Sequence, residues 1–131
     1  MNEKKLKHLE FIQGVINRLG NNSFLVKSWC VTIVAALAAL SSGTKDQYII
    51  IAYFPVFVFW LLDSYYLWQE RLFRELYNEV RVMEESNINF SMESSTNAMR
   101  KHKYLDAAFS KTILPFYAVL VGTIIILMLV L

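Results

Sequence analysis

One cysteine, two histidines, two prolines and four glycines are all that this chain of 131 residues holds of the residue types that build disulfides, metal sites and tight phosphate loops. Cys30 alone excludes an internal disulfide. His8 and His102 have no Cys, Asp or Glu at metal-ligand spacing and read as solvated surface side chains. No P-loop, GxGxxG, GxSxG or HExxH occurs, and no context joins the serines and histidines into a triad. The expectation is therefore a protein that is not an enzyme and carries no cofactor or metal. Charge is scarce as well. Asp, Glu, Lys and Arg make up 18% of the chain, against about 25% in soluble domains. The net charge of +2 is spread along the sequence, which argues against nucleic acid as a partner.

What is abundant is apolar surface: 56% of residues are hydrophobic and 15% aromatic. Crossing a hydrocarbon core about 30 Å thick takes roughly 20 apolar residues in a helix. Three segments meet that requirement: 24–42, 47–67 and 112–131. Only Gly43, Thr44, Lys45 and Asp46 lie between the first two, which predicts an antiparallel hairpin with a tight, water-facing turn. A signal-peptide reading of the first span, with Ala36-Leu37-Ala38 as the cleavage site, conflicts with the long charged segment before it, which contains Glu3 and Glu10. The fold class expected is an all-α membrane protein in one domain.

Orientation follows from the flanking cations. Lys4, Lys5, Lys7 and Arg18 precede the first span and Lys27 sits in its first turn. Arg71, Arg74, Arg81, Arg100, Lys101, Lys103 and Lys111 lie between the second and third spans, whereas the hairpin turn has Lys45 alone. The positive-inside rule then puts the N-terminus and residues 68–111 in the cytoplasm, with the C-terminus outside.

In FVFWLLDSYYLWQERLFRELY, residues 57–77, a single acid interrupts an aromatic-rich apolar run. With the hairpin apex at Lys45, Asp63 falls level with Lys27, and Trp60 falls level with Trp29. A charge deep in a span costs on the order of 3 kcal/mol, so an intramembrane pair of Lys27 and Asp63 at the cytoplasmic end is expected. The alternative is an acid that lines an ion or proton path. The two tryptophans fit an interfacial belt. Pro55, inside the second span, is expected to bend it, while Pro115 falls in the tolerated first turn of the third.

Two surfaces suggest packing. Ser28, Thr32, Ala35, Ala36 and Ala39 give the first span small-xxx-small spacing, which lets helix backbones approach closely in lipid. Large residues of the second span could fill that face within one protomer, or a second copy could. Beyond the second span, Leu72, Leu76, Val80 and Met83 continue a helical stripe through a cytoplasmic extension over residues 68–85. The whole helix from Gln47 to Glu85 would be about 58 Å long. The stripe must meet the N-terminal helix, the segment before the third span, or other copies.

Residues 1–20 form an amphipathic cytoplasmic helix with apolar positions Leu6, Leu9, Ile12, Ile16 and Leu19. Gly20 reads as its C′ residue, and Asn21-Asn22-Ser23 as a turn with Ser23 capping the first span. This helix either lies on anionic headgroups or packs on the cytoplasmic stalk. Residues 86–111 read as a polar loop followed by a short basic helix.

The stretches HLEFIQGVINRLGNNSFLVKSW, residues 8–29, and FWLLDSYYLWQERLFRELYNEV, residues 59–80, resemble the bacterial two-transmembrane effector modules of the SLATT type. The resemblance is one of architecture and covers about the first 85 residues; the third span departs from it. It implies a membrane effector in anti-phage or nucleotide-signalling defence that oligomerises and permeabilises the inner membrane. The expected partners are the lipid bilayer and further copies of the chain. Two other readings stand beside this one: an anchor or adaptor that binds a soluble cytoplasmic protein through the 68–85 extension, and a small multimeric transporter.

Overall fold

A computed structural model describes residues 3–42 and 48–130. Among these, every regular element is a helix: α1 (Glu3–Ser41), a 3₁₀ helix (Tyr48–Ala52), α2 (Tyr53–Val82), a second 3₁₀ turn (Glu85–Asn87), α3 (Thr96–Lys101), α4 (Tyr104–Ala108) and α5 (Leu114–Val130). Two of the helices are long and apolar enough to cross a membrane. The expected turn at Gly43–Asp46, together with Gln47 and Leu131 at the edges of two expected spans, lies outside the described residues.

The first departure from the sequence reading is at Gly20. The amphipathic helix and the first apolar run form one uninterrupted helix of 39 residues, with no C′ glycine and no cap at Ser23. A glycine inside a helix costs about 1 kcal/mol relative to alanine, and asparagine is a poor helix former. Tertiary packing outweighs these local preferences. Leu9, Ile12 and Ile16 on one side of the junction and Val26, Cys30 and Val34 on the other are all buried. Their three-and-four spacing forms one seam against α2, and the seam survives only if the helix does not break between its halves.

That seam zips α1 antiparallel to α2 over their full lengths. Near one end, the Ile49 amide donates to the Ser41 hydroxyl at 2.7 Å. Midway, Lys27 meets Asp63 and Gly20 faces the Glu70 carboxylate. At the far end, Lys5 Nζ donates to the carbonyls of Arg81 at 3.0 Å and Met83 at 2.8 Å. These are carbonyls of the α2 C-terminus, where a cation is favoured by unpaired acceptors and by the helix dipole.

The N-terminal half of α1 thus packs on the extension of α2. Leu9, Ile12 and Ile16 form one core cluster with Leu76, Val80 and Ile88, and Leu72 is buried too. Of the expected stripe only Met83 departs. Helix α2 ends at Val82, and Met83 takes an extended conformation and is exposed.

Pro55 does not bend the middle of a span, because α2 begins only two residues before it. Its missing N–H belongs to the first helical turn, where amides lack intrahelical partners in any case. Proline cannot bond back to the fourth residue before it, and the chain over Tyr48–Ala52 takes the tighter 3₁₀ form.

The segment after α2 contains two short helices in place of one basic helix. Ser95 caps α3 by accepting from the Ala98 amide at 3.0 Å, and the chain turns extended at Lys103 before α4. Two indoles on α2 fasten this segment: Trp68 Nε1 donates to the His102 carbonyl at 2.9 Å and Trp60 Nε1 to that of Ala108 at 3.0 Å. Helix α5 then returns along the apolar half of the α1–α2 pair. Its buried residues Tyr117, Leu120 and Ile124, with Ile113 just before it, join Cys30, Val34, Ile49, Ala52 and Val56 in a second core cluster.

Candidate functional site

Between the two core clusters lies a buried carboxylate. Asp63 has no solvent exposure, and donors reach it from two other helices. Lys27 Nζ of α1 is 2.5 Å from Oδ2. The Ser23 hydroxyl, one turn earlier on α1, donates to Oδ1, and the Tyr117 hydroxyl of α5 lies 3.0 Å from Oδ2. Tyr117 also faces the Phe59 carbonyl at 3.3 Å; its single hydrogen favours the charged acceptor. Lys27 Nζ donates to Ser23 Oγ at 2.9 Å as well and lies 5.8 Å from the centroid of the Phe116 ring.

The local reason for this cluster is helical spacing. Ser23 and Lys27 are one turn apart on α1, so both project from the same face of that helix. Tyr117 follows the 113–117–120–124 stripe that α5 turns inward. The lysine side chain keeps 18% of its exposure while the aspartate keeps none. A carboxylate that accepts from three side chains is held as a fixed acceptor. Chemically, the arrangement is a three-helix clasp. Ser64 beside it is also buried and donates back to the Trp60 carbonyl at 2.6 Å. Among the described residues, no group of three or more His, Cys, Asp or Glu side chains is placed to hold a metal.

The other expected site residues separate into inner and outer sets. Thr32, Ala35, Ala36 and Ala39 face outward, and Ser28 is partly exposed. The large-against-small fit inside one protomer does not form, because α1 gives its Val26–Cys30–Val34 face to α2 and α5. The hydroxyls of Ser28 and Thr32 fold back onto the carbonyls one turn earlier, at 3.0 and 2.9 Å. Leu72, Leu76 and Val80 are buried inside the protomer. Trp29 is exposed, while Trp60 is half-buried and fastens the Ala108 carbonyl.

Sequence reasoning missed Ser23, assigned to a cap, and Tyr117, assigned no role. A signal for the latter exists: a single phenol in a largely apolar third run, two residues after Pro115 and at the end where Asp63 lies. His8 is also not the solvated side chain expected. It is 4% exposed, and its Nε2 atom has no hydrogen-bond partner among the described residues.

Compared with known proteins, the chain matches no family model, no curated protein and no solved structure. The likeness to SLATT-type modules therefore rests on the two quoted stretches of sequence.

Proposed function

We propose that this chain is an inner-membrane protein that self-associates through the outward face of α1 and acts on the membrane as a pore-forming or disruptive effector. The observation that carries the reading is the exposure of Thr32, Ala35, Ala36 and Ala39 along one side of an apolar helix. Small side chains facing lipid gain little, whereas against a second helix they permit close backbone contact. The back-bonded hydroxyls of Ser28 and Thr32 keep that face free of unpaired donors. Helix α5 is apolar on all sides, with Val119, Ile126, Leu129 and Val130 exposed, which suits lipid better than water.

In this arrangement the N-terminus and residues 68–111 are cytoplasmic, and α5, about 26 Å long, forms a third span. The likeness to SLATT-type effectors supplies the setting, anti-phage or nucleotide-signalling defence. The adaptor reading loses its motivating surface, since α1 covers Leu72, Leu76 and Val80. The transporter reading is weakened by the closed state of Asp63, whose acceptors are taken by three donors. Light scattering in mild detergent tests the proposal: the wild-type chain should be a homo-oligomer, and Ala36→Leu should shift it toward the monomer. Induced expression of the wild type, and not of Ala36→Leu, should dissipate the membrane potential. A monomeric wild type would overturn the self-association and the pore with it.

A further inference from the structure

We infer that the cytoplasmic half of α1 forms one wall of a binding site for a small soluble organic anion with a flat aromatic body. A groove of about 850 Å³ runs beside the α1–α2 seam. Its α1 wall is one helical stripe that includes Lys7, His8, Phe11 and Arg18, and its opposite wall brings Phe73 from α2 and Phe90 from the loop after it.

Three observations point to a ligand of that chemistry. His8 is more than nine-tenths buried, lines the groove, and leaves Nε2 without a partner among the described residues. Buried polar atoms are nearly always satisfied; Nε2 itself has no exposed surface, so a ligand atom pairs with it once the Phe90 ring packed on His8 gives way. The charges have one sign: Lys7 and Arg18 make no ion pair among the described residues, and no acid lines the groove. The walls are aromatic, and Phe90 packs edge-on against the His8 imidazole, with ring centroids 5.4 Å apart. Phe90 does so at a φ of 59°, a left-handed conformation that a bulky side chain rarely takes. Rings offer stacking to a planar body, and cations at the edge offer pairing to its charge.

The soluble source rests on the membrane reading above. Phe11 stands about 24 Å along α1 from the level of Lys27, whereas the headgroup layer is only about 5–8 Å thick on each side. A lipid headgroup at the membrane surface would not reach the groove.

The test uses the full chain in mild detergent, titrated with 2-naphthoate by isothermal calorimetry, with neutral 2-naphthalenemethanol and inorganic phosphate as comparators. Naphthoate should bind at one site per chain and more tightly than either comparator. Lys7→Gln and Arg18→Gln are exposed changes that leave the fold intact, and each should weaken naphthoate binding about fivefold. His8→Leu should weaken it too while raising thermal stability, a combination that a purely structural histidine would not give. No naphthoate binding by the folded chain would overturn the proposal, as would binding indifferent to both charge removals. The same titration in nanodiscs tests the source: loss of binding on changing phosphatidylcholine for phosphatidylglycerol would mean that a lipid headgroup fills the groove, overturning the soluble ligand. Because the detergent titration does not depend on a bilayer, failure of the membrane reading would leave its outcome intact.

Discussion

Replacing Asp63 by asparagine turns a carboxylate acceptor into a group half donor, facing three donors. The Asn amide can still accept from Ser23 or Tyr117, but Lys27 loses its counter-charge. Breaking one side of a buried pair costs about 3–5 kcal/mol. Because the Lys27 side chain keeps 18% exposure, its ammonium can withdraw toward the surface, and Asp63→Asn should fall near the low end, about 3 kcal/mol. Lys27→Met is the harsher change, since Asp63 has no exposure and cannot withdraw; about 4 kcal/mol is expected. Two independent losses would add to about 7 kcal/mol. The double variant removes both charges and should cost only about 4, a coupling of about 3 kcal/mol. Equilibrium unfolding in mild detergent, followed by far-ultraviolet circular dichroism, measures all four species. Additivity to within about 0.5 kcal/mol would refute the clasp, and so would Lys27→Met proving milder than Asp63→Asn.

Gly20→Ala should stabilise the chain by up to about 1 kcal/mol, since the added Cβ would lie 3.6 Å from a Glu70 carboxylate oxygen, an ordinary contact; a loss in the same unfolding assay would mean that the helix breaks there after all. Leu76→Glu places a charge in the core shared by α1 and α2, so it should lower folded yield rather than release folded monomers, and size-exclusion chromatography separates these outcomes. Burial holds the His8 pKa below its ordinary value near 6.5. The unfolded chain then binds the proton more readily, and stability should fall as pH drops from about 6.5 toward the lower folded value; thermal melts of wild type and His8→Leu at pH 8 and pH 5.5 check it, because only the wild type should lose stability through this group. In a Cys30→Ser background, Ser42→Cys should be labelled from outside the cell and Ser86→Cys only from the cytoplasm; the reverse pattern would invert the orientation.

The sequence by itself determined that the chain is helical, roughly where its long apolar runs lie, and which positions of residues 3–19 and of the α2 extension face inward. Apolar periodicity carries that information locally, and the absence of glycine and proline clusters within α2 let its apolar and charged halves be read as one element. The depth at which Lys27 and Asp63 meet was also legible, because a four-residue interval between the apolar runs leaves little freedom of register. The tertiary structure decided the rest. Gly20, Asn21, Asn22 and Ser23 carry strong local stop signals, yet the seam continuing from Ile16 to Val26 overrides them, since breaking the helix would uncover buried side chains on both sides. Whether Leu72, Leu76 and Val80 awaited a second copy or an internal partner depended on the direction in which residues 3–19 leave the apolar run, and no local pattern encodes that angle. Tyr117 joined Asp63, and His8 became buried without a partner for Nε2 among the described residues, for the same reason. Each depends on which face of a distant helix is turned inward, a choice made by all the packed side chains together.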